Sequence, residues 1–360
     1  MGDKTKIGIL FGGRSVEHSI SLRSAENICQ FIDQDKFETT LIGIDLNGNW
    51  FLMDEVSKHI AQGQALNFSL SASNPAIINS KTGQPIQIEV GFPVLHGTNG
   101  EDGGIQGFLK TFDIPCVGTG VLGSSISMNK RVSKKLLENE GIPVAKYECY
   151  TSKQKNQINY HHVASVLGSP FIVKPESLGS SVGVSKVKSE SEFTEAIEEC
   201  FRFDNGMIIE EFIVGRELEC SILGNDPPKA TRPGEIKVNE AYDLYTFDAK
   251  YVDPEAAQLS IPAEVDEKTQ SLAKDLSLKS FKALCCEDYA RVDLFLRENG
   301  DLVVNEINTI PGFTNSSMFP KLWENEGTPY SKLISTIIML AMKRFQDQNA
   351  VIKKFESSLD

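Results

Sequence analysis

The 360-residue chain is 40% hydrophobic and 24% charged, which is the composition of a globular protein long enough for two or three domain-sized cores. Its 49 acidic and 36 basic residues give a net charge of −13, which argues against nucleic acid or an anionic membrane as the main partner. No apolar run approaches the roughly 20 residues that span a bilayer, so we expect a cytoplasmic protein without a membrane partner.

The first third of the chain has a βαβ pattern. The predicted elements are a strand at 6–13, a helix from Ser19 to Phe31, a strand at 39–45, a strand pair within 86–97 and a helix at 105–112. The stretch 57–83 is polar and weakly patterned. Short apolar strands that alternate with a helix predict a Rossmann-like parallel sheet. We expect this domain, residues 1–122, to close just after the last of these elements.

The remainder of the chain predicts two α+β domains, at 123–210 and 211–350. The predicted elements are a helix from Ser127 to about Glu140, two strands at 170–175 and 182–187, a helix from Ser189 to Phe203, a strand at 206–212, a polar loop at 225–257, a helix at 265–285, a hairpin that turns at Asn299-Gly300 and a helix from Tyr330 to Phe345. The fold class is therefore α/β, with a parallel-sheet domain first.

A G-x-S-x-G sequence, Gly179 to Gly183, matches the nucleophile elbow of serine hydrolases. An elbow needs a helix directly after the serine, but the β-branched VSKV that follows Gly183 predicts a strand. All five histidines also precede Ser181, whereas such a hydrolase needs one later in the chain. A Ser/Gly-rich loop after Lys174 instead suits phosphate oxygens, since glycine permits close backbone approach and Ser180 and Ser181 add hydroxyl donors.

A second motif, G-x-G-x-x-G at 118–123, resembles a dinucleotide-binding turn. In that fold it links the first strand of a domain to a helix, whereas here it comes at the predicted end of the first domain. We interpret it as a turn that joins two domains, and no nicotinamide site is predicted.

The segment 289–312 carries the strongest chemical pattern. Glu306 and Asn308 are two residues apart in a predicted strand and so share a face, and the turn at 299–300 brings Asp293 opposite them. Two carboxylates and an amide are hard oxygen donors that suit Mg²⁺ ions bridging nucleotide phosphates. Arg291 is two residues before Asp293 and is expected on the same face. An exposed polar sheet face is the alternative interpretation.

With these residues in place, the chain resembles the D-alanine–D-alanine ligases of the ATP-grasp superfamily over essentially its whole length. The matching blocks are FGGRSVEHSISL (11–22), LHGTNGEDGGIQGFL (95–109), SMNK (127–130), FIVKPESLGSSVGVSK (171–186), IIEEFIVGRELE (208–219), DAKY (248–251), ARVDLF (290–295) and NEINTIPGFTNSSMFP (305–320). The resemblance implies an ATP-grasp fold with ATP between the central and C-terminal domains.

The resemblance also implies roles in binding ATP and metal. It assigns phosphate contacts to Lys130, Lys174, Ser181 and Lys250, adenine and ribose contacts to Glu210, Glu211, Ile213 and Glu217, and two Mg²⁺ ions, replaceable by Mn²⁺, to Asp293, Glu306 and Asn308. A homodimer is implied as well.

For the substrates, the resemblance implies that Glu17 binds the first D-alanine's ammonium with His96 nearby. Arg291 and the Gly312 N–H would stabilise the oxyanion of the tetrahedral intermediate. Ser317 and the Met318 backbone would receive the second substrate's carboxylate, and Glu17, Ser180 and Tyr251 would form a network that closes the site.

The identity of the second substrate and two other classes of protein stay open at this point. By the same resemblance, Met318 and Tyr251 favour D-alanine over D-serine or D-lactate as the second substrate. An ATP-grasp carboxylase or purine-pathway ligase, and a nucleotide-binding regulator without activity, are the alternatives from other classes.

Overall fold

The structure, a computed structural model, describes residues 3–71, 75–239 and 256–351. It contains three β-sheets with helices packed on them, so the predicted α/β class is confirmed. Within these ranges no helix is both long enough and apolar enough to cross a membrane.

The first sheet has three parallel strands at one end. Its strands are β1 (Thr5–Gly12), β2 (Phe37–Ile44), β3 (Trp50–Met53), β4 (Gln64–Ser69), β5 (Ala76–Asn79) and β6 (Val90–Pro93), in the order β5-β4-β3-β2-β1-β6. The strands β2, β1 and β6 are parallel, as predicted, and α1 (His18–Phe31) connects the first two. The antiparallel strands β3 to β5 extend the sheet through the stretch for which the sequence predicts no element. The strand pair predicted within 86–97 is wrong, because only β6 forms there.

The second sheet is antiparallel and carries two helices on one face. Its strands are β7 (Tyr147–Thr151), β8 (Phe171–Pro175), β9 (Ser185–Val187) and β10 (Gly206–Glu211), in the order β7-β10-β8-β9. The helices α5 (Tyr160–Leu167) and α6 (Glu190–Phe203) supply Val163, Phe193 and Ile197 to a core with Val173 and Ile209. Alternate residues of β8 and β10 therefore face away from these helices.

The helix predicted from Ser127 to Glu140 is two helices. Between α2 (Gly104–Thr111) and β7 the chain forms α3 (Val121–Met128) and α4 (Lys130–Asn139). Asn129 has an extended backbone and its side chain accepts a hydrogen bond from the Val132 N–H, so it caps α4.

The G-x-G-x-x-G stretch at 118–123 is more than the turn that was predicted, because α3 begins inside it. A Cβ on Gly123 would lie 2.3 Å from the Cys285 carbonyl oxygen, so glycine permits close packing there.

The third sheet contains the predicted hairpin. Its strands are β11 (Gly215–Leu223), β12 (Lys229–Ala230), β13 (Gly234–Val238), β14 (Ala257–Ser260), β15 (Tyr289–Arg297) and β16 (Leu302–Asn308), in the order β14-β13-β11-β15-β16 with β12 on β11. The helix α7 (Glu267–Ala283) packs on the face that carries Leu218 and Cys220. The prediction of a polar loop over 225–257 is wrong where β12 and β13 form.

The last two helices return to the first sheet. Residues of α8 (Met318–Asn325) and α9 (Tyr330–Asn349), such as Phe319 and Ile337, share one apolar core with Ile9 and Phe92. Arg344 on α9 donates to Asp288 at 2.8 Å and to the carbonyl oxygens of residues 116 and 118. The end of the chain therefore ties the third sheet to the first.

Candidate active site

The second and third sheets face each other on the sides that α5, α6 and α7 leave uncovered, and the space between them is here called the cleft. Because Val173 and Ile209 point into the helix-covered core, Lys174 and Glu210 point the other way, and their side chains form an ion pair at 2.9 Å. The Lys174 ammonium also lies 3.4 Å from the Asn305 amide oxygen on β16. Lys174 therefore connects the second sheet to the third.

A second lysine, Lys134 on α4, also contacts the Glu210 carboxylate. Lys134 is 1% exposed, and its ammonium lies 3.2 Å from Glu210 Oε1. Burial lowers the pKa of Lys134, although the charge of Glu210 opposes this. Burial alone raises the pKa of Glu210, but the charges of Lys134 and Lys174 outweigh it and hold that pKa below its ordinary value. Glu210 is thus a buried anion shared by two cations, of which only Lys174 was predicted from the sequence.

We expect Glu210→Gln to destabilise the fold by roughly 3–5 kcal/mol, because it leaves Lys134 and Lys174 as buried like charges without their common anion. Urea unfolding of both proteins measures the difference. Exposed Glu140 provides the matched control, Glu140→Gln. Adding Lys134→Met to Glu210→Gln removes one of the two charges and is expected to restore part of the stability. Equal stability of Glu210→Gln and the unaltered protein would show that the cluster is not coupled.

Lys130 lies where α4, the serine-rich loop and β16 meet. Its ammonium donates to the Leu178 carbonyl oxygen at 2.7 Å and lies 3.6 Å from Glu306 Oε2. The buried Glu176 carboxylate, at the base of the loop, accepts from Asn129 Nδ2 at 2.7 Å and from Arg131 Nε at 3.1 Å. The start of α4 therefore fixes both the base of the loop and the lysine beneath it.

The loop 176–184, here called the flap, connects β8 to β9 and covers this corner of the cleft. Ser180 and Ser181 both have positive φ, at 52° and 59°, a conformation that non-glycine residues rarely adopt. The Ser180 hydroxyl donates to the Glu17 carboxylate, which belongs to the first domain. The flap is consequently held against the start of α1, as the predicted link between Glu17 and Ser180 requires. Lys250 and Tyr251 lie outside the described residues.

Glu17 occupies a space that two glycines leave open. It is 6% exposed, and a Cβ built on Gly97 would lie 2.3 Å from its Oε2, or 3.1 Å for one on Gly179. Gly97 also has a φ of +72°, so glycine is required there for two reasons. The carboxylate thus sits between a loop of the first domain and the flap, at the carboxyl ends of parallel strands, where ligands bind in open α/β sheets.

His96 is buried beside this carboxylate. Its Nδ1 lies 2.9 Å from the Ile310 carbonyl oxygen, which can only accept, so Nδ1 carries a proton, and Nε2 lies 3.0 Å from Ser24 Oγ. Burial alone lowers the pKa of His96, but the neighbouring carboxylates Glu101 and Glu17 outweigh burial and raise it. His96 therefore links the first-domain loop to the segment that follows β16.

The raised pKa of His96 predicts a pH dependence of stability. A histidine whose pKa is higher in the folded than in the unfolded chain contributes stability below the unfolded pKa of about 6.5, and loses it as pH rises through the folded pKa. We therefore expect the difference in free energy of unfolding between the unaltered protein and His96→Gln to be largest in acid and to shrink above about pH 6.5. Urea unfolding at a series of pH values on both sides of 6.5 measures this difference in free energy. A difference that grows as pH rises would contradict the raised pKa of His96.

The hairpin and β11 carry a row of polar side chains on the cleft face. Glu219 pairs with Asp293, and Asp293 with Glu306, across three neighbouring strands. Two residues along, Arg291 pairs with Asn308. A β-bulge between Asp293 and Leu294 places Asn305 and Glu306 opposite one residue, which also turns Asn305 toward Lys174. The predicted grouping of residues 291, 293, 306 and 308 on one face is confirmed, while Glu219 and Asn305 were missed.

The donor set fits Mg²⁺ by its chemistry. Asp293 and Glu306 supply carboxylate oxygens and Asn308 an amide oxygen, and Mg²⁺ in nucleotide sites uses one or two carboxylates together with phosphate oxygens. Within the described ranges no group of three or more His, Cys, Asp or Glu side chains is arranged to hold a metal ion. Asn308 Nδ2 donates to Asp293 Oδ2 at 3.0 Å, which orients both side chains.

The segment after β16 carries the predicted second-substrate residues. A Cβ on Gly312 would lie 2.7 Å from Ser317 Oγ, so the two residues are in close contact. Ser317 precedes α8 and its hydroxyl accepts from the Thr314 N–H at 3.0 Å. The Met318 side chain is 4% exposed and packs with Ile236, which leaves its backbone for the predicted role.

The predicted adenine and ribose residues lie on β10, β11 and the turn between them. The Glu211 carboxylate accepts from Arg297 at 2.6 Å and from the Lys146 N–H at 2.9 Å, so the structure places it in an ion pair away from the two lysines. Ile213 is half-buried in the turn, and Glu217 shares the cleft face of β11 with Glu219.

Comparison with known proteins finds one family over most of the chain. The family descriptions "D-ala D-ala ligase N-terminus" and "D-ala D-ala ligase C-terminus" match residues 6–119 and 136–339. The chain is 44% identical to "D-alanine--D-alanine ligase" from Shouchella clausii, over 95% of this chain and 96% of that protein.

Two solved structures are also similar. The D-alanine-D-alanine ligase from Coxiella burnetii has a TM-score of 0.86 and 35% identity, with 97% of each chain covered. The VanG D-Ala:D-Ser ligase from Enterococcus faecalis has a TM-score of 0.83 and 31% identity, with 94% of this chain and 100% of that chain covered. The chain belongs to the D-alanine–D-alanine ligase family, and its ATP-grasp fold is that of the family.

Proposed function

We propose that the protein is an ATP-dependent ligase that joins two D-alanine molecules into D-alanyl-D-alanine for peptidoglycan synthesis. The family match over both ends of the chain supports the reaction class and the use of ATP, and it sets aside the carboxylase and purine-ligase alternatives. The observation that carries the proposal is the cleft itself, in which Lys130 and Lys174 face Asp293, Glu306 and Asn308 beneath a flap bound to Glu17.

The reaction divides into two steps that need different groups. In the first, the carboxylate of one D-alanine attacks the γ-phosphate of ATP, which forms an acyl phosphate and releases ADP. In the second, the amine of the other D-alanine attacks the acyl carbon, phosphate leaves, and the amine loses a proton. Lys130 and Lys174 neutralise the triphosphate, and Lys250 is proposed to approach the γ-phosphate. Mg²⁺, when bound, would add positive charge on the phosphate oxygens.

The acyl phosphate requires a site without water, and the flap supplies one. Ser180 donates to Glu17, and Ser181 with the flap N–H groups covers the phosphates. Glu17 holds the first D-alanine's ammonium, and His96 supports that corner. Arg291 and the Gly312 N–H stabilise the oxyanion that forms at the acyl carbon, an effect of about 2.7–4 kcal/mol for one donor in comparable enzymes.

The second substrate is proposed to be D-alanine rather than D-serine or D-lactate. Ser317 and the backbone at Met318, at the start of α8, offer donors to its carboxylate. The solved relative named as a D-Ala:D-Ser ligase has the same fold, so the fold alone does not separate these substrates. The choice of D-alanine therefore depends on Met318 and Tyr251, and only Met318 lies within the residues that the structure describes.

A phosphate-release assay tests the function. With ATP, Mg²⁺ and D-alanine alone, we expect phosphate release and D-alanyl-D-alanine as the product. Adding D-serine or D-lactate in competition is expected to leave D-alanyl-D-alanine as the main product. A mixed dipeptide or a depsipeptide as the main product would change the second substrate, and no release with any of the three would contradict the ligase.

We further propose a cytoplasmic homodimer with two Mg²⁺ ions per active site, in which Mn²⁺ can replace Mg²⁺. Sedimentation and a metal titration of turnover test these points separately from the reaction itself.

A further inference from the structure

Arg291 is held between two carboxylates, of which only one was predicted as a site residue. Its Nε and Nη2 each lie 2.7 Å from an oxygen of Asp293, a two-point contact. Its Nε also lies 3.1 Å from Glu219 Oε2 on the neighbouring strand. Glu219 and Asp293 are each 3% exposed, so both carboxylates are buried beside the same guanidinium.

The sheet register explains why Glu219 is there. Glu219 on β11 lies directly opposite Asp293 on β15, and Ser221 lies opposite Arg291. Directly opposite residues of antiparallel strands share a face, so Glu219 points into the cleft with Asp293 and Glu306. Nothing in the proposed reaction uses Glu219, although a buried carboxylate is costly unless it is paired.

Arg291 and a metal ion compete for the same atoms. A carboxylate has about four lone-pair sites. At Asp293 three of these are used, two by Arg291 and one by Asn308. A metal ion on Asp293 therefore finds only one remaining site, on Oδ1 beside the Arg291 guanidinium, and it gains further room on that carboxylate when Arg291 releases part of it. The released guanidinium would then lie next to a divalent cation, which is unfavourable unless another anion takes it.

We propose that Glu219 is the positioning residue that takes over the Arg291 guanidinium when Asp293 binds Mg²⁺. This inference rests on the proposed metal role of Asp293 and goes beyond the residues that the proposed function uses. The shift is short, because Arg291 already lies within ion-pair distance of Glu219. Arg291 then stays beside the reacting carbon with its charge balanced, and Asp293 is free for the metal.

Metal binding without turnover tests the transfer. We expect Glu219→Gln to weaken Mn²⁺ binding, measured by electron paramagnetic resonance with a non-hydrolysable ATP analogue, by on the order of tenfold. The amide is uncharged, so Arg291 keeps its contact with Asp293 and competes with the metal. Glu235→Gln is the matched control, since it breaks a similar buried pair, with Arg216, on the opposite face of the same sheet.

A double-mutant cycle separates this transfer from a simple loss of negative charge. In an Arg291→Met background no guanidinium competes for Asp293, so Glu219→Gln is expected to change Mn²⁺ affinity little. An equal weakening in both backgrounds would overturn the proposal, since charge alone would then explain it. If Glu219→Gln does not fold, Glu219→Asp replaces it, because the shorter side chain withdraws the carboxylate. Binding of Mn²⁺ to that variant at full strength would likewise overturn the proposal.

The same measurement distinguishes the two levels of inference. If the unaltered protein binds no Mn²⁺ with the nucleotide analogue, the metal assignment of the proposed function fails and this inference fails with it. If the unaltered protein binds Mn²⁺ and Glu219→Gln binds it equally well, the metal site stands and only the role of Glu219 is wrong.

Discussion

Glu306→Gln is expected to lower kcat by about 10³-fold while the protein stays folded. Glu306 is the most accessible carboxylate of the row, with 28% of its side chain exposed, and it faces the Lys130 ammonium at 3.6 Å. Glutamine has the same size but no charge, so the loss falls on metal binding and on the charge balance around Lys130. The unfolding temperature is expected to change little, because the carboxylate is not fully buried.

A phosphate-release assay at saturating ATP and D-alanine measures the effect. The matched control is Glu298→Gln, an exposed glutamate in the turn of the same hairpin, which is expected to keep full activity. Unchanged turnover by Glu306→Gln would mean that Glu306 is not a metal ligand, and the row on β15 and β16 would need another function.

Glu17→Gln is expected to lower kcat/KM for D-alanine by about 100-fold, since hydrogen bonds to charged groups contribute about 1.5–3 kcal/mol. Glu17 is buried, is proposed to bind the substrate ammonium, and accepts from the Ser180 hydroxyl of the flap. The neutral amide of the glutamine is a weaker hydrogen-bond partner for both the substrate ammonium and the Ser180 hydroxyl. We also expect more than one ATP consumed per dipeptide, because a loosely held flap admits water to the acyl phosphate.

Ser180→Ala separates the two roles of Glu17. It keeps the carboxylate for the ammonium but removes the contact with the flap, so the ratio of phosphate to dipeptide is expected to rise while KM for D-alanine changes less than in Glu17→Gln. The matched control for Glu17→Gln is Glu38→Gln, at an exposed glutamate on β2, which is expected to keep full activity. A Glu17→Gln enzyme with normal KM and a phosphate-to-dipeptide ratio of one would remove Glu17 from the site.

The parts of the site that depend on local pattern could be predicted from the sequence. The alternation on β15 and β16 and the turn at 299–300 are enough to place Asp293 opposite Glu306. The same alternation on β11, where Glu217 and Glu219 are two residues apart, could have identified Glu219 as a cleft residue. The β-bulge could not be predicted, because it adds one residue to one strand without a glycine to mark it.

The parts that depend on contacts between distant segments could not be predicted. Lys134 is one of several lysines on a helix with a strongly polar sequence, and only the packing of α4 on the second sheet shows that it is buried against Glu210. Likewise, the helix break at Asn129 occurs because the Asn129 side chain caps α4. An asparagine in a helical sequence pattern does not by itself show whether it will form such a cap. The packing of α9 on the first sheet is equally nonlocal.

A crystal structure with Mn²⁺ and a non-hydrolysable ATP analogue tests the central claim most directly, since anomalous scattering locates the metal without assumption. We expect the metal signal in contact with Asp293, Glu306 and Asn308, and the triphosphate between Lys130 and Lys174 beneath the flap. A nucleotide bound elsewhere on the molecule, or metal away from the β15–β16 hairpin, would contradict it.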